Sequence, residues 1–180
     1  MLAALVAVVV GLIGAASAAA TDVTATATVT AGSLSLTTSA TPSVSVTLDG
    51  TDKTPTYTLP VTVADGTGSG AGWNVTITST TFTTGGGTPR TLSTSASQVT
   101  GTTSACSGGS TCTNPTNSIT YPFTVPAAAT APTAVKLFNA AANTGMGSFT
   151  VTPTVQVSIP ANSYAGTYTS TVTVALVSGP

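Results

Sequence analysis

From Thr21 onward, apolar and hydroxyl residues alternate with a period of two. The run Val23-Thr-Ala-Thr-Ala-Thr-Val29 does so. The same pattern recurs at 44–48, 59–63, 73–77, 119–125, 149–151, 155–159 and 172–176. Strand side chains point to opposite faces in turn, so each segment predicts a β-strand with one buried face. The other face is Thr and Ser, where most soluble domains place Lys and Glu. Thr is β-branched and fits a pleated surface. No segment after Ala20 holds a helical period. The Ala-rich stretch 127–142 is preceded by Pro126 and interrupted by Pro132, so one short turn is the most expected there.

Turn-forming residues separate the alternating runs: Asp49-Gly50, Asp65-Gly66, Gly85-Gly86-Gly87, the segment 106–112, and 160–166. Short strands at that spacing predict an all-β fold, an antiparallel β-sandwich of about eight to ten strands. It is expected to span 21–180 as a single domain behind an apolar N-terminal segment, 1–20. The last two strands, about 148–159 and 167–177, are expected to form a long hairpin. Pro55, Pro60, Pro122 and Pro153 suggest edge strands or bulges.

Charge narrows the function. Seven of 180 residues are charged, with no His and no Glu, against 42 Thr and 20 Ser. Three dispersed cations give no basic footprint for nucleic acid. Without His, neither a His-based zinc site nor a Ser-His-Asp triad can be assembled. Lys53 and Lys136 are the only candidate bases for an activated hydroxyl. The reading is therefore non-catalytic, with no cofactor and no metal. Asp49, Asp52 and Asp65 lie in Gly-containing turns. They offer oxygens to Ca²⁺, but Asp-Gly is equally what a tight turn requires, and the turn is preferred.

Two features place the chain outside the cytoplasm. Cys106 and Cys112 flank a Ser-Gly-Gly-Ser-Thr loop, a gap that fits no common zinc pattern. A local disulfide is preferred over two free thiols, and it implies an oxidising compartment. Residues 1–20, MLAALVAVVVGLIGAASAAA, are apolar and end in small residues. A cleaved leader and a retained apolar helix both fit, the latter being the only route to a membrane.

The segment Gly70-Ala-Gly-Trp73-Asn-Val75-Thr-Ile77, together with the run from Ile159-Pro-Ala through Gly166-Thr-Tyr168 and Val174-Ala-Leu176 to Pro180, resembles the WxL-domain family of bacterial cell-surface proteins. The resemblance spans roughly 25–180. It departs from the family pattern in that Val174-Ala175-Leu176 stands where a second Trp-x-Leu is expected and Val75 replaces Leu. It implies a surface location and non-covalent attachment to the wall through peptidoglycan, or binding to another surface protein. Trp73, Tyr168 and Leu176 then form a wall-binding or a core motif. As a binding group, Trp73 is a platform for a sugar ring, with Tyr168 beside it. As a core group, it is an anchor between sheets, which its apolar neighbours Val75 and Ile77 favour. A second reading is structural. Alternating Thr/Val strands without Lys have unprotected edges, and one subunit could donate 23–29 to the next in an extracellular filament, or join it through the N-terminal apolar helix.

Overall fold

A computed structural model describes residues 20–109 and 111–180. The leader reading falls almost wholly on 1–19, outside the described residues. The chain divides into two units, 1–30 and 31–180. In the first, residues 20–30 form neither helix nor strand, and their side chains are exposed.

The second unit is an all-β sandwich with ten strands among the described residues. They are β1 (Leu34–Thr37), β2 (Thr56–Thr58), β3 (Val61–Asp65), β4 (Trp73–Thr80), β5 (Ser97–Cys106), β6 (Phe123–Thr124), β7 (Ala127–Ala128), β8 (Val135–Ala140), β9 (Gly147–Val157) and β10 (Val172–Ser178). One sheet runs β1-β3-β9-β5-β6, with β2 also on β9. The other is built on β4, with β10 on one side and β7 and β8 on the other.

The two organising strands are β9 and β4, each central to its sheet. On β9, Phe149, Val151, Val155 and Val157 face inward at 0–1 % exposure while the intervening Thr and Gln residues are part-exposed. On β4, Trp73, Val75 and Ile77 do the same from the opposite sheet. Each fully buried aliphatic side chain of this kind contributes roughly 1.5–3 kcal/mol by leaving water.

Several expectations need correction. Residues 148–159 and 167–177 form no hairpin: β9 lies between β3 and β5, whereas β10 crosses to the other sheet and pairs with β4, Leu176 opposite Val75. Pro153 lies at no edge. It lies within the continuous central strand β9, one rung from the bulge in β5 between Val99 and Gly101, and opposite Leu59-Pro60, the break between β2 and β3. There its carbonyl accepts the Leu59 N–H at 3.1 Å, and its missing N–H faces a stretch with no continuous ladder. Segments 23–29 and 44–48 are not strands, and 119–125 is one only at its end. Alternation does not report a hydrogen-bonding partner: 44–48 half-buries its apolar side without one, and 23–29 is exposed on both faces. The Ala-rich stretch holds no lone turn but two strands, β7 and β8. On β8 a bulge makes Leu137 an extra residue, so Leu137 and Phe138 both enter the core and the period of two is lost.

Strand β5 ends at Cys106, which is disulfide-bonded to Cys112 with the Cα atoms 6.1 Å apart. Ser107 and Thr113, each next to one cysteine of the closure, are bonded along the start of β9. Ser107 N–H donates to the Ser148 carbonyl at 2.8 Å, Thr113 N–H to Met146 at 2.9 Å, and Gly145 N–H to Thr113 at 2.8 Å. A bridge over so short a loop stabilises by about 2 kcal/mol. The Cys106→Ser/Cys112→Ser double variant is accordingly expected to melt about 4–8 °C lower in a thermal scan. An unchanged Tm would mean that the loop is held by its backbone bonds alone.

Candidate functional site

The structure joins two of the three motif residues and separates the third. Trp73 opens β4, and Leu176 lies on the neighbouring strand β10, so the two motif segments are adjacent rungs of one ladder: Trp73 opposite Ser178, Val75 opposite Leu176, Ile77 opposite Val174. Trp73 is completely buried. Its ring packs against Phe138 and Phe149 at 5.9 and 6.4 Å between centroids. Its indole Nε1 donates to the Gly145 carbonyl at 2.8 Å, which satisfies the one polar atom a buried Trp brings.

Backbone chemistry fixes this seat. Gly145 adopts φ +72°, and a Cβ there would lie 2.8 Å from Trp73 Nε1 and collide with the Ala140 methyl. Gly72 sits just as close against the carbonyl of Ala140. The glycine before the Trp and the one at its indole are therefore packing requirements. Beside them, Asn74 Nδ2 donates to the Gly179 carbonyl at 2.8 Å and Gly179 N–H to Gly72 at 3.0 Å, tying β10 to the start of β4. No face of the Trp73 indole is accessible to solvent in this arrangement.

Tyr168 lies elsewhere, in the 160–168 connection between β9 and β10. Its hydroxyl donates to the Tyr164 carbonyl at 3.0 Å. The two tyrosines stand between two clefts and line both. The larger, about 600 Å³, is floored by Phe82, Leu92, Val157 and Ile159 and closed by the extended segment 44–48. The smaller, about 350 Å³, is bounded by Arg90, Asn162 and Pro160. Tyr164 is 59 % exposed, and the Arg90 guanidinium carbon lies 3.8 Å from its ring centroid, a cation–π contact. The connection is anchored at its start, where Asp52 Oδ1 accepts the Ala161 N–H at 2.8 Å and Lys53 and Ile159 exchange backbone bonds. Below Tyr168, Leu92, Ala96 and Val157 form a second small core with Tyr57, Phe82 and Ile159.

Asp49 and Asp65 serve turns. Asp49 accepts from Thr51 N–H and Oγ1 and pairs with Lys53 Nζ at 2.6 Å. The Lys53 ammonium, then the Thr51 donors, hold its carboxyl well below the usual range. Asp65 accepts from Thr67 N–H and Oγ1. Among the described residues no three His, Cys, Asp or Glu side chains cluster as metal ligands. The cations are also engaged: Lys53 with Asp49, Arg90 with Tyr164, Lys136 with the Pro180 carbonyl at 2.8 Å. Sequence reasoning missed Tyr164, Arg90 and the 44–48 wall. The readable signals were a pair of tyrosines four apart in a Pro/Gly-bounded loop and the only Arg in the chain.

The Cys106–Cys112 disulfide fits an oxidising, extracytoplasmic compartment. A family model described as WxL domain surface cell wall-binding matches residues 17–180, essentially the whole chain. The chain belongs to the WxL-domain family, and its place is the cell surface or wall. No curated protein and no solved structure matches it.

The seat of Trp73 yields a stability prediction. Trp73→Phe leaves the Gly145 carbonyl buried without its donor, and Gly145→Ala adds a methyl at a positive φ. Each is expected to cost about 1–3 kcal/mol in denaturant unfolding. Wild-type stability for both would contradict the packing described.

Proposed function

We propose that this protein is a non-catalytic wall-binding domain that takes peptidoglycan glycan strands into the groove walled by Tyr164 and Tyr168. The observation that carries this reading is the inversion of exposure between aromatic groups. Trp73 is sealed in the core, whereas Tyr164 is exposed at the lip of a groove of about 600 Å³. A tyrosine ring offers a sugar an apolar face and a hydroxyl to bond. Ser163 and Thr167 add hydroxyls along the same groove, and Arg90, stacked on the Tyr164 ring at the adjoining smaller cleft, brings a cation beside it for carboxylates on the peptide stems. The non-catalytic reading is supported by chemistry: there is no His, and Asp49, Asp52 and Asp65 are engaged in turns and backbone contacts rather than paired at the groove. Residues 1–20 serve as the export segment in this reading.

The test is cosedimentation with purified peptidoglycan. Tyr164→Ala is expected to weaken binding about ten-fold, the equivalent of roughly 1.4 kcal/mol for one lost aromatic contact, without changing Tm. Retention of full binding by Tyr164→Ala and by a Tyr164→Ala/Arg90→Ala variant would remove the groove as the site.

A further inference from the structure

The sandwich is sealed unevenly. At one side β1 and β10, the end strands of the two sheets, approach each other. Their inward residues Leu34, Leu36, Val172, Val174 and Leu176 pack on the core yet remain only half-buried. The residues they pair with one strand further in, Val63, Val75 and Ile77, are 0–1 % exposed. Among the described residues β10 pairs with β4 alone. The bonds from Thr80 N–H to the Thr171 carbonyl and from Gly179 N–H to the Gly72 carbonyl fix its polarity. The alternation of an antiparallel ladder then turns the amides of Val172, Val174, Leu176 and Ser178 outward. This edge carries no charge, proline or bulge, the usual protections against strand addition.

The chain also holds a strand without a sheet. Residues 23–29 number seven, as do those of β10. They alternate Val, Ala, Ala, Val with Thr, belong to no strand, and expose Val23 at 87 % and Val29 at 94 %. Gly32 and Ser33, just after this segment, are bonded to Gly66 in an extension of the β1–β3 ladder.

We propose that residues 23–29 of one copy add as a strand to the outer edge of β10 in a second copy, laying one apolar row along the half-buried side chains of β1 and β10. Main-chain hydrogen bonds supply the attraction and the shared period of two sets which face is covered. Near-absence of charge, with net −1, leaves little repulsion between copies. The contact lies on β10 and uses none of the groove residues, so it stands or falls separately from wall binding.

The test is sedimentation velocity over a hundred-fold concentration range, with amide exchange followed by NMR on the same samples. The full chain is expected to associate as concentration rises. The amides of Val172, Val174 and Leu176 should slow at least ten-fold in the associated form. Val23→Asp/Val29→Asp, two changes in an exposed segment outside the sandwich, should abolish both effects and leave Tm unchanged. A monomer at every concentration would overturn the proposal. So would association that protects other amides, or protection at β10 that is independent of concentration or survives in the aspartate variant.

Discussion

The burial of Trp73 is the constraint around which the rest of the sandwich is arranged. A side chain of that size fills the space between the two sheets only if its indole N–H finds an acceptor there, and Gly145 provides it at 2.8 Å. The requirement spreads outward. Gly145 must lack a side chain, and its loop must be held in place. The loop is held by Thr113, whose position follows from the Cys106–Cys112 closure along the start of β9. A disulfide remote in sequence from the Trp thus acts on the same seat. The two motif segments of the family, around Trp73 and around Leu176, are neighbours in one ladder. In this chain Leu176 and Val174 occupy that ladder without a second Trp.

The architecture was legible where one face alone meets the core. β3 and β9 follow the period of two, whereas β4 keeps it at Trp73, Val75 and Ile77 but buries Asn74, Thr78 and Ser79 as well. Three kinds of element escaped that reading. β5 is mostly Ser, Thr and Gly; it buries Ser97 and Val99 at its start, and beyond them it is a strand because its backbone pairs with β9. β8 loses its period at a bulge. Residues 44–48 keep the period, but their buried side borders the groove and no neighbouring strand takes their backbone. Side-chain patterning records burial, and these cases separate burial from pairing.

The groove was less legible than the fold, for a related reason. Trp73 is the most conspicuous residue in the sequence, and large aromatic groups serve cores and ligands alike. What distinguishes the two uses is solvent access, which depends on neighbours far along the chain. Tyr168 was visible as a candidate, yet its partner Tyr164 and the cation at Arg90 come together only when the 160–168 connection crosses between sheets. That crossing is the same feature that replaced the expected terminal hairpin.

The assignment of Trp73 to the core and of ligand contact to the tyrosine groove can be read directly, because the chain has one Trp. The measurement is Trp fluorescence of the native protein, with and without soluble peptidoglycan fragments at saturation. A sealed indole predicts blue-shifted emission, weak quenching by iodide, and neither property changed by the fragments. Emission that begins red-shifted, or that shifts and becomes protected when fragments bind, would place Trp73 at the binding surface and contradict the division of roles.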